Sequence, residues 1–100
     1  MIKFDLIVGF QWDDGNLRKS ELKHSVSQVE AEEIFFNEPL LINLDDKHSE
    51  AEQRFLALGV SNAGRLLTSI FTLRQNQTLI RVISVRDQHK KERLVYAKAN

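Results

Sequence analysis

The chain has 100 residues with no cysteine, one proline and four glycines, which is enough for one hydrophobic core. The missing cysteine excludes disulfides, thiolate chemistry and cysteine-based metal sites, and the 42% hydrophobic content excludes a wholly disordered chain. A net charge of zero hides a sorting: residues 1–50 carry eleven acidic and five basic side chains, residues 51–100 three acidic and nine basic. A basic C-terminal half suits phosphate or an acidic partner, although folding can also lay the acidic half over it.

The start, Met1 to Val8, meets Asp5 at once and lacks the shape of a signal peptide, and no apolar run reaches membrane-spanning length. A soluble, cytoplasmic protein is expected, and with no evident linker or repeat residues 1–100 read as one domain. Lys3–Val8 is a candidate short strand. Asp13 or Asp14 caps a polar helix from roughly Gly15 to Lys23. Ser27, with Val26 before it and Glu30 three residues on, has capping-box spacing for a second helix carrying Ala31, Ile34 and Phe35, which Asn37-Glu38-Pro39 ends near Phe36.

Beyond Pro39 the pattern changes to strands at Leu40–Leu44, Gln53–Val60, Leu66–Leu73 and Leu79–Val85. The interruptions Ser61-Asn62-Ala63-Gly64 and Arg74-Gln75-Asn76-Gln77 are too short for helical crossovers, so the strands pair as antiparallel hairpins. Strict alternation along the last strand puts Arg81 and Arg86 on opposite faces, unless the strand ends before Arg86. Asp87 caps a final helix reaching about Lys98, with Glu92 and Tyr96 one turn apart. The expected class is α/β (α+β): a four-stranded antiparallel sheet flanked by two N-terminal helices and one C-terminal helix.

Several polar groups could carry chemistry. His24, after Lys23 at the end of the first helix, can take and give a proton near neutral pH, or serve as a helix-end cation. The polar stretch Asp45–Arg54 contains Asp45, Asp46 and His48 without diagnostic ligand spacing, so no metal site or cofactor is assigned. Glu52 and Arg54 share a face of a strand, either as a structural ion pair or as a base beside a phosphate clamp. Lys90 and Lys91 place positive charge in the first turn of the last helix, where the dipole would favour an anion. Arg81 and Arg86, in an otherwise apolar strand, offer bidentate donors to phosphate. Trp12 and Tyr96 can stack on bases or fill the core. Gly59 and Gly64 do not form a phosphate loop.

These residues resemble the BrnT family of type II toxin–antitoxin ribonucleases. The likeness runs through Phe10-Gln11-Trp12-Asp13, Lys23-His24-Ser25-Val26-Ser27, Asp46-Lys47-His48-Ser49-Glu50 and Glu52-Gln53-Arg54-Phe55. It continues with Leu58-Gly59, Ile80–Arg86, Glu92-Arg93 and Tyr96, in order over about nine tenths of the chain. Asn16, Ser20, Ser25, Val85 and Gln88 depart from the family's usual Lys, Asn, Gly, Ala and Ala. The resemblance implies a RelE-like fold, metal-independent RNA cleavage that inhibits translation, and a BrnA-like antitoxin through which DNA is met only indirectly. It implies His24 or Glu52 for proton transfer, Arg54, Arg81 and Arg86 for the phosphate, and Lys23, Lys90, Lys91, Trp12 and Tyr96 for substrate contact. The competing readings are a weakened homologue that acts as a binding module, and a small structural protein whose charges are internal.

Overall fold

A computed structural model describes residues 3–45 and 52–99. The expectations that rest on Asp46, Lys47, His48, Ser49 and Glu50 lie outside the described residues. In chain order the elements are a 3-10 turn at Phe4–Leu6, β1 (Gly9–Gln11), α1 (Asp14–His24), α2 (Gln28–Glu33), β2 (Leu41–Leu44), β3 (Phe55–Val60), β4 (Leu66–Arg74), β5 (Leu79–Asp87) and α3 (Lys90–Ala97). They build one five-stranded sheet in the order β1-β5-β4-β3-β2.

The pairings β2–β3, β3–β4 and β4–β5 are antiparallel, the last two as their short polar connections require. The N-terminal segment differs from expectation. Lys3–Val8 forms the 3-10 turn rather than a strand, and Gly9–Gln11 pairs parallel to Leu79–Arg81, making the sheet mixed. A parallel neighbour needs a long connection, and residues 12–78 supply it.

The helix starts follow their caps. Asp13 accepts from the Asn16 N–H at 3.0 Å, and Ser27 Oγ accepts from the Glu30 N–H at 3.1 Å. The Glu30 side chain does not close the capping box; it turns to Ser61 and Arg65. α2 ends at Glu33, three residues short of Phe36, because Ile34–Phe36 continue as turns. α3 is entered through His89 rather than Asp87, with Glu92 accepting the His89 N–H at 2.8 Å.

One face of the sheet is closed by apolar packing. Val26, Ala31, Ile34, Ala57, Leu67, Phe71, Ile80, Val82 and Val85 form the core. Phe71 stacks on Phe55 and meets Phe35 edge-on, with ring centroids 5.4 and 5.2 Å apart. Gly59 lets the turn after α2 approach β3: a Cβ there would stand 2.8 Å from Ile34 Cβ and 3.2 Å from its carbonyl oxygen.

The strand carrying the arginines holds an irregularity. Phe71 pairs with Val82 and Ile70 with Ser84, leaving Ile83 as an extra residue, a β-bulge. Ile80 and Val82 face the core before the bulge, and Val85 faces it after. Arg81 and Arg86 therefore share the other face, which corrects the strict-alternation expectation. Beyond Arg81, where β1 stops, α1 runs along β5. Its eleven residues span about 16 Å, close to the ~15 Å that strand geometry gives between Arg81 and Arg86. The start of α1 thus meets Arg81, and its end lies near Arg86.

Candidate functional site

The outer face of the sheet is built in rows. Gln11 pairs with Arg81 and Arg81 with Thr72. Arg54, one residue before the core-facing Phe55, falls on the outer side near Thr72, whose hydroxyl donates to the Gln53 carbonyl at 2.7 Å. The next row holds half-exposed Leu56, Ile70 and Ser84, followed by Leu58, Thr68 and Arg86. Arg54, Arg81 and Arg86 thus share one face, with small and apolar side chains between them.

The end near Arg86 is tightly bonded. Arg86 grips Glu92 through two nitrogens at 2.8 and 3.1 Å and also donates to the Asp87 carbonyl at 3.1 Å. Glu92 further accepts from Thr68 Oγ1 and from the His89 N–H, each at 2.8 Å. Burial alone would raise the Glu92 pKa. The hydrogen bonds from Arg86, the His89 amide and Thr68 outweigh it and hold the carboxyl at about 2.

His24 lies at the same end, on the half-buried stripe Asn16–Ser20–His24 that the helical period gives α1. Burial first, then the charges of Lys23, Arg86 and Lys19, hold its imidazole below the ordinary value, against the opposing pull of Asp87. The shift favours the neutral imidazole, the form that can accept a proton. Lys23 is exposed beside it, and Lys90 and Lys91 are exposed in the first turn of α3, close along the chain to Arg86.

Arg81 is held differently. One nitrogen donates to Asp13 at 2.9 Å, and that carboxylate is already the cap of α1. Asp13 lies below its ordinary pKa chiefly through the Asn16 amide, with Arg81 contributing less.

Glu52 stands apart. It precedes β3 and pairs with Arg74 at 3.0 Å, not with Arg54. Arg74 lies six residues from Thr68 along β4, about 20 Å by strand rise, so Glu52 and His24 do not meet on one phosphate.

The aromatic candidates are packed rather than presented. Tyr96 is 4% exposed and its hydroxyl donates to the Pro39 carbonyl, which leaves no ring face open to a base. Trp12 packs against the core and donates from Nε1 to Glu32 at 2.8 Å. The sequence reading missed Arg65, which binds Glu30, Asp87 and two carbonyls at the end of α1. Its position just after Gly64, at a hairpin exit, gave no local signal of that role.

Among the described residues no helix is long and apolar enough to cross a membrane. No curated protein matches the chain in sequence. The crystal structure of the Brucella abortus ribonuclease toxin BrnT superposes with a TM-score of 0.62 at 19% identity, covering 83% of this chain and 99% of that one. The likeness supports the expected α+β architecture with flanking helices of RelE-like type, on a mixed five-stranded sheet where a four-stranded antiparallel one was expected. Residues 12–92 match the model of the family described as "Ribonuclease toxin, BrnT, of type II toxin-antitoxin system", and with that extent of agreement the chain belongs to the BrnT family.

Proposed function

We propose that this BrnT-family chain is an endoribonuclease that cleaves RNA through attack of the 2′-OH on the adjacent phosphate, without a divalent metal, and so inhibits translation. The observation that carries the reading is the bulge at Ile83, which brings Arg81 and Arg86 to one face while α1 delivers His24 to its end. His24, whose pKa is lowered, accepts the hydroxyl proton as the 2′-oxygen bonds to phosphorus. The P–O5′ bond breaks, leaving a 2′,3′-cyclic phosphate, and the departing 5′-oxygen takes a proton from water or from the protonated imidazole. Arg81 exchanges Asp13 for a phosphate oxygen, Arg86 supplies a fixed positive field, and Arg54 and Lys23 extend the cationic track. Lys90 and Lys91 meet the strand further out. Glu52, held by Arg74, borders the far end. The mechanism needs the 2′-OH, so DNA is not a substrate.

An antitoxin of the BrnA type is the expected partner. An acidic segment laid over Arg81 and the Lys90–Lys91 turn would occupy phosphate positions, and DNA would be contacted through that partner alone.

One observation favours a second reading. Arg81 and Arg86 are each engaged by a carboxylate of the same chain, as expected of a weakened homologue that acts as a binding module. Digestion of RNA by the purified protein in EDTA decides between them. Cleavage that continues in EDTA, and stops when antitoxin is added, supports the enzyme. Cleavage that returns only with added metal overturns the metal-free route, and none under either condition leaves the binding module.

A further inference from the structure

Arg65 opens β4 just before Leu66, on the far side of the sheet's end from the row of Arg81. It is half-buried, and every nitrogen of its guanidinium is engaged. Nε and Nη2 grip Asp87 at 2.7 and 3.0 Å, and Nη1 binds Glu30 at 3.0 Å. The same two terminal nitrogens reach the last carbonyls of α1, with Nη2 on His24 O at 2.9 Å and Nη1 on Ser25 O at 2.8 Å.

Those carbonyls are of the kind a helix end leaves without partners. Only a flat fork with several fixed donors can serve two of them and two carboxylates together. One side chain therefore ties the C-terminal turn of α1 to the end of β5 through Asp87, and to the start of α2 through Glu30. The tie is needed locally. Ser25 carries the left-handed φ of 54° that closes α1, a conformation that costs a residue with a Cβ and leaves the turn prone to relax.

We propose that Arg65 is a positioning residue: it fixes the backbone of His24 against β5 so that the imidazole stays on the outer face beside Arg86. The proposal rests on the reading of His24 as the proton acceptor, and Arg65 itself touches no substrate. The charged groups around His24 are Lys19 and Lys23 on its own helix and Arg86 and Asp87 on β5, with Arg65, just ahead of β4, pairing with Asp87. Loss of Arg65 would both loosen the turn and return the Asp87 charge to the imidazole, which moves the His24 titration upward.

The test uses the full chain with Arg65→Gln and the milder Arg65→Lys, which keeps the charge but not the fork. In folded Arg65→Gln, NMR titration of the His24 ring is expected to shift upward by about half a pH unit. RNA cleavage is expected to lose tenfold or more in kcat with KM within twofold. In Arg65→Lys, amide exchange at Ser25 and Val26 is expected to quicken at least tenfold relative to Leu17 at the start of α1. An unshifted His24 titration in Arg65→Gln, or exchange at Ser25 and Val26 that stays in step with Leu17, overturns the proposal. If Arg65→Gln does not fold, the exchange measurement on Arg65→Lys decides. If the wild-type chain cuts no RNA, the enzyme reading fails on its own, and titration and exchange still decide what Arg65 holds.

Discussion

The two ends of the outer face carry the same residue type on the same strand and treat it in opposite ways. At one end Arg86 meets a carboxylate that also accepts from Thr68 and the His89 amide, so the guanidinium is part of the joint between β5 and α3. At the other, Arg81 meets Asp13 through a single nitrogen, and Asp13 is anchored to Asn16 with or without it. An arginine's availability to a ligand is thus set less by its own exposure than by how firmly its partner is held. Both side chains are equally exposed, at 24%. One is a structural cation and the other a movable one.

The largest effect expected from this contrast is catalytic. Arg81→Ala should lower RNA cleavage about 100-fold, because a charge-stabilising contact made in the transition state is removed, while thermal unfolding barely moves. Activity within twofold of wild type in a well-folded variant would erase the distinction. Arg86→Ala should do the reverse first. It strands the Glu92 carboxylate and is expected to cost about 2 kcal/mol in urea unfolding.

Acid should act on the same end. Glu92 has a folded-state pKa of about 2, below its ordinary 4.5. Its contribution to stability is therefore present above the unfolded value of 4.5 and is lost as the pH falls from there toward 2. Urea midpoints followed across that range should drop, and Arg86→Ala should show a shallower fall than wild type. The smallest effect concerns the turn after His24. Ser25→Gly removes the left-handed strain and should stabilise the fold by about 1 kcal/mol. Cleavage should stay the same, since Arg65 holds the turn; a clear fall in cleavage would show that the strained serine itself helps orient His24.

The hairpins, the Asp13 and Ser27 caps and the core face of the strands were legible in the sequence, because each depends on neighbours within a few residues. The bulge was not, since it arises from a mismatch between two strands. The sequence holds no trace of it, because Leu79, Ile80, Val82, Ile83 and Val85 are all apolar and fit either register; only in the fold do the core positions step by two from Ile80 to Val82 and then by three to Val85. That change of period is the signature of an extra residue. The pairings of Glu52 with Arg74 and of Asp87 with Arg65 join residues 22 positions apart, and no local pattern chooses among the available cations. The parallel strand at Gly9–Gln11 was hidden because its three residues are too few to show alternation. His24 and the arginines were recognisable as chemistry-bearing residues, but their division into fixed and movable members depends on the partners that folding provides.

The equal lengths of α1 and of the β5 stretch beside it make the two elements a matched pair of rulers. One added residue in α1 would rotate His24 by about 100° and carry it off the face. Deletion of Ile83 would remove the bulge and leave Arg81 and Arg86 on one face by plain alternation, whereas one added residue between them would turn Arg86 and everything after it to the opposite side of the sheet. The exposed tips at 62–64 and 75–77 carry no such constraint. In this scaffold, insertions and deletions at those tips change a loop, whereas an insertion between Asp13 and His24, or between Arg81 and Arg86, dismantles the face.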